Sequence, residues 1–121
     1  MPWTYSQSSG DLSHDGQHIA TGYSGHAEGL NNPALQDDHG IGPIPQGSYT
    51  IGPASVHPGK GPVVMALDPA PANNMFGRDG FLIHGDTAAL DHSASHGCII
   101  LGRPFREQIA NSPDRTLIVT S

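Results

Sequence analysis

Cys98 and His84, with the residues beside them, are the groups in this 121-residue chain whose types and spacing suit covalent chemistry. Cys98 is the only cysteine, and it closes Ser95-His96-Gly97-Cys98 ahead of Ile-Ile-Leu. His84-Gly85 ends a short apolar run, FLIHG (81–85). A cysteine attacks as its thiolate, so an imidazole must take the proton and another group must hold that ring's second nitrogen. Backbone N–H groups must also face a developing oxyanion, which favours a glycine next to the nucleophile. If the strand ending at His84 neighbours the one opening at Cys98, the two side chains meet and an acyl-transfer site results. Composition alone favours a quieter role, since a free cysteine before three aliphatics is more often a small core residue. The motif needs its surroundings.

Those surroundings are expected to be short strands. Glycine (16) and proline (11) exceed a fifth of the chain and charged residues are few, which favours strands and turns over long helices. Strands are expected at Trp3–Gln7 and Gln17–Ala20, around Gly10 and an Asp15-Gly16 turn, and again at 48–52, 61–69, 81–85 and 98–101. The 61–69 run is apolar enough to suggest burial on both faces. Residues 26–47 read as an ordered, irregular loop with one helical turn near Pro33–Gln36. One helix is expected in RPFREQIAN, where Pro104 suits the first turn, Phe105 and Ile109 share a face, and Ser112-Pro113 stops it. RTLIVTS closes the chain as a strand. The fold class is therefore mainly β, a single domain over 1–121 with one short helix near the C-terminus.

Several function classes are disfavoured. The net charge is −6, and Lys60, Arg78, Arg103, Arg106 and Arg115 are the only Lys and Arg residues, so no basic patch for nucleic acid is expected. No apolar stretch approaches the roughly 18 residues of a membrane span. MPWTYSQSSG has neither the basic nor the apolar region of a signal peptide, so cytoplasmic synthesis is expected, with any export by another route.

IHG followed by SHGCI resembles the catalytic motif of the L,D-transpeptidase (YkuD-type) superfamily. Upstream, GYSGHAEGLNNP and GPIPQGSYTIG resemble a compact branch of it, whose members are antibacterial effectors of type VI secretion. The resemblance runs from about Trp3 to the C-terminus. It implies a β-sandwich or barrel and L,D-carboxypeptidase or L,D-transpeptidase activity on peptidoglycan stem tetrapeptides, with no cofactor. It also implies a cognate immunity protein and a secretion-apparatus component as partners, and action in the periplasm of target bacteria. By position it makes Cys98 the nucleophile, His84 the general base and the Gly85 carbonyl the group that orients His84. His96 falls near the oxyanion site, to which Gly97 and Cys98 would lend N–H groups. Tyr23, Ser24, His26, Ser95, Asp86 and Arg103 are the expected substrate-side residues.

Two departures stand out. Ten residues lie between His84 and Ser95, fewer than in the cell-wall-building enzymes, which implies a smaller lid. Ile100 stands where those enzymes often carry Arg or Asn, so the substrate-carboxylate anchor is open. Arg103, the nearest cation along the chain, either anchors substrate or caps the helix region. Asp86 either holds His96 or Ser95 or is a solvated loop acid. Two rival readings remain. One is a metal site drawn from His84, Asp86, Asp91, His92, His96 and Cys98, which matches no tight ligand spacing. The other is a non-catalytic peptidoglycan-binding module of the same fold.

Overall fold

The computed structural model describes residues 2–86 and 95–121. Ten strands form one continuous, nearly closed, barrel-like sheet, with one α-helix among the described residues. The strands are β1 (Trp3–Ser6), β2 (Asp11–His14), β3 (Gln17–Thr21), β4 (Tyr23–Ser24) and β5 (Gly47–Ile51). They continue with β6 (Ser55–His57), β7 (Gly61–Pro69), β8 (Leu82–His84), β9 (Ile99–Ile100) and β10 (Thr116–Thr120). Helix α1 spans Arg103–Ala110. The order across the sheet is β3-β2-β1-β10-β5-β7-β8-β9-β4, with β6 paired to β7 alone. No helix among the described residues is long and apolar enough to cross a membrane.

Local chemistry explains most elements. Asp15 and Gly16 both take positive φ (52° and 78°), the geometry of the two-residue turn that joins β2 to β3. Tyr5, Leu12, Tyr49, Met65, Ile83, Ile99 and Leu117 alternate inward from seven different strands and are fully buried. Helix α1 adds Ile109 to this core, with Phe105 packed against it, as the four-residue spacing requires. Strand β7 is not buried on both faces as its composition suggests: Val64, Met65 and Leu67 are buried, while Pro62, Ala66 and Asp68 are exposed. Strands β2, β4 and β6 were not expected. The irregular loop carries two short 3₁₀ turns, Ala27–Gly29 and Pro33–Leu35.

The two edges of the sheet are neighbours in sequence. Only Gly22 separates β3 from β4, so the sheet must curl until its edges nearly meet. There Gly22 N–H donates to the Gly10 carbonyl at 2.8 Å. A β-carbon at Gly22 would lie 2.0 Å from the Ile100 carbonyl oxygen, a backbone atom with no freedom to move aside. We expect Gly22→Ala to cost about 2 kcal/mol or more by overpacking, read as a lowered melting temperature. Gly52→Ala, whose added methyl meets nothing closer than 3.4 Å, should melt like the parent. Equal melting of the two variants would remove the role assigned to the seam.

Candidate active site

The site grows from three adjacent strands. β9 pairs in parallel with β8, Ile83 opposite Ile99 and His84 opposite Ile100, and antiparallel with β4, Tyr23 opposite Ile100. Ile83 and Ile99 point into the core at 0% exposure. Cys98 enters β9 beside Leu82, one diagonal step across the ladder from His84. Neighbouring strands lie about 4.8 Å apart, so a long side chain spans that diagonal.

His84 is 2% exposed. Its Nδ1 lies 2.8 Å from the Gly85 carbonyl, which can only accept, so Nδ1 carries the proton and Nε2 a free lone pair. Nε2 is buried and has no hydrogen-bond partner among the described residues, so no bond joins it to the Cys98 thiol. Burial lowers the His84 pKa, and the charges of Lys60 and Arg106 push the same way against the Gly85 hydrogen bond. Burial also raises the Cys98 pKa, opposed by the Leu82 backbone N–H and by the charges of Lys60 and Arg78. Both shifts favour the uncharged forms, thiol and imidazole.

Two buried serines lock the turn before Cys98. Ser24 Oγ donates to the Gly97 carbonyl at 2.8 Å and accepts the Ile44 N–H at 2.8 Å. Ser95 Oγ accepts from the Gly25 and Gly97 N–H groups at 2.9 and 3.0 Å and donates to the Cys98 carbonyl. Both serines are 0% exposed. Their hydroxyls are thus engaged with backbone groups of the turn. The Gly97 amide, expected to face an oxyanion, is the one held by Ser95 Oγ. Gly97 matters instead through φ +138° and its missing β-carbon, which would sit 2.5 Å from Arg78 Nη2 and 2.6 Å from the Phe81 ring.

Arg78, a residue that the sequence motifs do not single out, is the other half of this lock. Its guanidinium is buried and stacks over Phe81. Nη1 donates to the Gln36 and Pro43 carbonyls at 2.6 and 2.8 Å, and Nη2 to the Gly42 and His96 carbonyls at 3.0 Å each. His26 Nδ1 donates to the Ser95 carbonyl at 2.8 Å, and its ring packs edge-on to His96. His96 is exposed and donates from Nδ1 to the Gly40 carbonyl. It lines a small cleft with His39, Arg78 and Phe81, and not a larger cavity, which neither His84 nor Cys98 lines.

That larger cavity, of about 500 Å³, is lined by Tyr23, Gly85, Asp86, Ile100, Arg103 and Arg106 among others. Asp86 accepts the Tyr23 hydroxyl at 2.6 Å, whereas Ser95 Oγ and His96 Nδ1 bond to backbone groups. Arg103 is exposed and pairs with Glu107 one helical turn on, at 3.0 Å. For the rival metal site, His84, Asp86, His96 and Cys98 do not converge, and Asp91 and His92 lie outside the described residues. Among the described residues only His14, Asp15 and Asp114 gather closely enough to share an ion.

Arg78→Met would strip up to four carbonyls of their donor, at roughly 1–3 kcal/mol for each one left buried and unsatisfied. We expect a loss of more than about 3 kcal/mol in denaturant melts. Arg78→Lys should rescue little, because one ammonium cannot reproduce the planar fork. A lysine variant as stable as the parent would contradict this.

A family model of the Tlde1 domain matches residues 18–117, a span that includes every residue of the site. No curated protein matches the chain.

Proposed function

The chain belongs to the Tlde1 domain family of type VI secretion effectors, and on that premise we propose that it is a cysteine L,D-carboxypeptidase or L,D-transpeptidase acting on peptidoglycan stem tetrapeptides. Membership carries secretion, action in target cells, a cognate immunity protein and a secretion apparatus, and it is consistent with an enzymatic toxin. The observation that supports the chemistry is the buried His84. Its Nδ1 is fixed by the Gly85 carbonyl and its Nε2 has no partner among the described residues, on the strand beside Cys98.

The reaction follows from these groups. Cys98 Sγ attacks the carbonyl carbon of the bond between meso-diaminopimelate and D-alanine while His84 Nε2 takes the thiol proton. As the C–N bond breaks, the imidazolium returns that proton to the leaving amine, and a thioester remains on Cys98. Water attacks the thioester with His84 again as base, releasing a tripeptide carboxylate. A D-amino acid attacking in place of water completes an exchange. In this reading Gly85 orients the base, Ser24, Ser95 and Gly97 set the turn, and the whole of 1–121 acts as one catalytic domain.

Cys98→Ala and His84→Ala should fold like the parent. The first should leave tetrapeptides intact by mass spectrometry, and the second should be slower by about 10²–10⁴-fold. Release of D-alanine by Cys98→Ala would exclude this nucleophile.

The pH profile is a separate check. His84 must be neutral and its pKa is lowered, so the acid limb of kcat/KM should fall below the ordinary imidazole value of about 6.5. The thiol pKa is raised, so the alkaline limb should lie above about 8.5. A profile confined between those two values would instead indicate a resting thiolate–imidazolium pair.

A further inference from the structure

Gly85, whose carbonyl holds the His84 ring, owes its residue type to Arg106. Its φ lies outside the left-handed region, so backbone conformation does not demand a glycine there. The space beside its α-carbon does. An added β-carbon would stand 2.8 Å from Arg106 Nη2, 3.2 Å from Cζ and 3.7 Å from Nη1. The three nearest atoms thus all belong to one guanidinium, which packs against the link between His84 and Gly85.

The rest of that guanidinium is fixed from both strands that flank β8. Nε donates to the Leu101 carbonyl at 3.0 Å, and the Leu101 N–H donates in turn to the His84 carbonyl at 3.1 Å. Toward β7, Nη1 donates to the Pro62 and Val63 carbonyls at 2.7 and 3.1 Å. Val63 stands two residues before Met65, and Gly85 two residues after its partner Ile83, so both lie at the same end of that antiparallel ladder. Val63 is β-branched yet holds a left-handed φ of 57°, a conformation that persists only where its surroundings impose it. Arg106 is itself 7% exposed and sits three residues before the core residue Ile109 on α1, so its backbone is anchored.

The His84 ring depends on this arrangement. The bond from Nδ1 to the Gly85 carbonyl, 2.8 Å long, sets the tautomer. Rotation of the Gly85 peptide would release Nδ1 and let the proton move to Nε2, where it would occupy the lone pair that must accept from the thiol. Burial does most to lower the His84 pKa and the Arg106 charge adds to it, so one side chain favours both the neutral ring and its orientation.

We propose that Arg106 is a positioning residue for the catalytic base, its guanidinium fixing the Gly85 peptide so that His84 keeps its proton on Nδ1 and its lone pair on Nε2. The effect on rate rests on the proposed function; the effect on the ring does not.

The test uses the full chain and reads the tautomer by NMR of the His84 ring nitrogens, above the ordinary imidazole pKa of about 6.5, beside kcat and KM on the tetrapeptide. The parent should show Nδ1–H alone. Arg106→Met should show a mixture with Nε2–H, and a kcat lower by about 10- to 100-fold with KM little changed. Arg106→Lys should rescue little, since one ammonium cannot serve both flanking strands. Arg115→Met is the control, because Arg115 also holds four carbonyls, of Ile51, Gly52, Ile109 and Ser112, none of them bonded to His84 or Gly85. It should lower the melting temperature and leave tautomer and kcat at parent values. Should Arg106→Met fail to fold, Gly85→Ala serves in its place, because its methyl displaces the same guanidinium, and it too should mix the tautomers. A mixed ring in the parent, Nδ1–H alone in the folded variant, or equal mixing in Arg115→Met would overturn the assignment. If the parent turns over no peptide, the proposed reaction fails, and the tautomer comparison alone decides the role of Arg106.

Discussion

Everything at the site hangs on one guanidinium. The planar fork of Arg78 gathers carbonyls from Gln36, Gly42 and Pro43 in one loop and from His96 in the turn before the cysteine. The chain has a shortage of donors to explain this. Eleven prolines lack an N–H, and the long irregular loops leave carbonyls that no ladder satisfies. Arginine, with five donors in a fixed geometry, supplies what regular structure would otherwise provide. Arg106 and Arg115 do the same elsewhere, Arg115 bonding the Ile51, Gly52, Ile109 and Ser112 carbonyls. Three of the five cations in this acidic protein are thus structural clamps.

The clamp has an electrostatic side. The Arg78 cation sits among neutral carbonyls, with the Asp38 and Asp37 carboxylates favouring its charge, and its field also reaches Cys98. For Cys98 that field works against burial and eases formation of the thiolate, and Lys60 acts in the same direction. For His84, Lys60 and Arg106 favour the neutral ring. The same positive surroundings therefore favour the neutral His84 ring and soften the cost of ionising Cys98. A low effective dielectric makes both influences larger than they would be in water.

Much of the architecture was legible in local chemistry. The Asp15-Gly16 turn, the aliphatic strands and the Pro104-led helix follow from turn geometry, alternation and four-residue spacing. His84 and Cys98 stand out in the sequence through the resemblance of IHG and SHGCI to a known catalytic motif, since composition alone favours a core cysteine. The rest depends on long-range pairing. Strand β4 has two residues, too few to show alternation, and exists because β9 offers Ile99 and Ile100 as partners. Ser24 and Ser95 look alike as cleft residues until their hydroxyls are seen to be spent on backbone groups. Arg78 sits in a turn-rich stretch among asparagines and glycines, with no periodicity to mark it as buried. The one available signal was scarcity, since so few cations in a turn-rich chain are rarely idle.

The seam at Gly22 bears on how the protein acquires its shape. β1 pairs in parallel with β10, so Trp3 faces Leu117 and Ser6 faces Thr120 across almost the entire chain. β10 also separates β1 from β5, and the sheet cannot bring β3 round to β4 until it has inserted. Contacts so distant in sequence make for slow folding, because loop closure must precede the gain from pairing. A growing polypeptide therefore carries Cys98 and His84 well before it carries the strand that completes the wall around them. Assembly of the finished site waits on residues 116–120, at the far end of the chain from the turn that Gly22 makes.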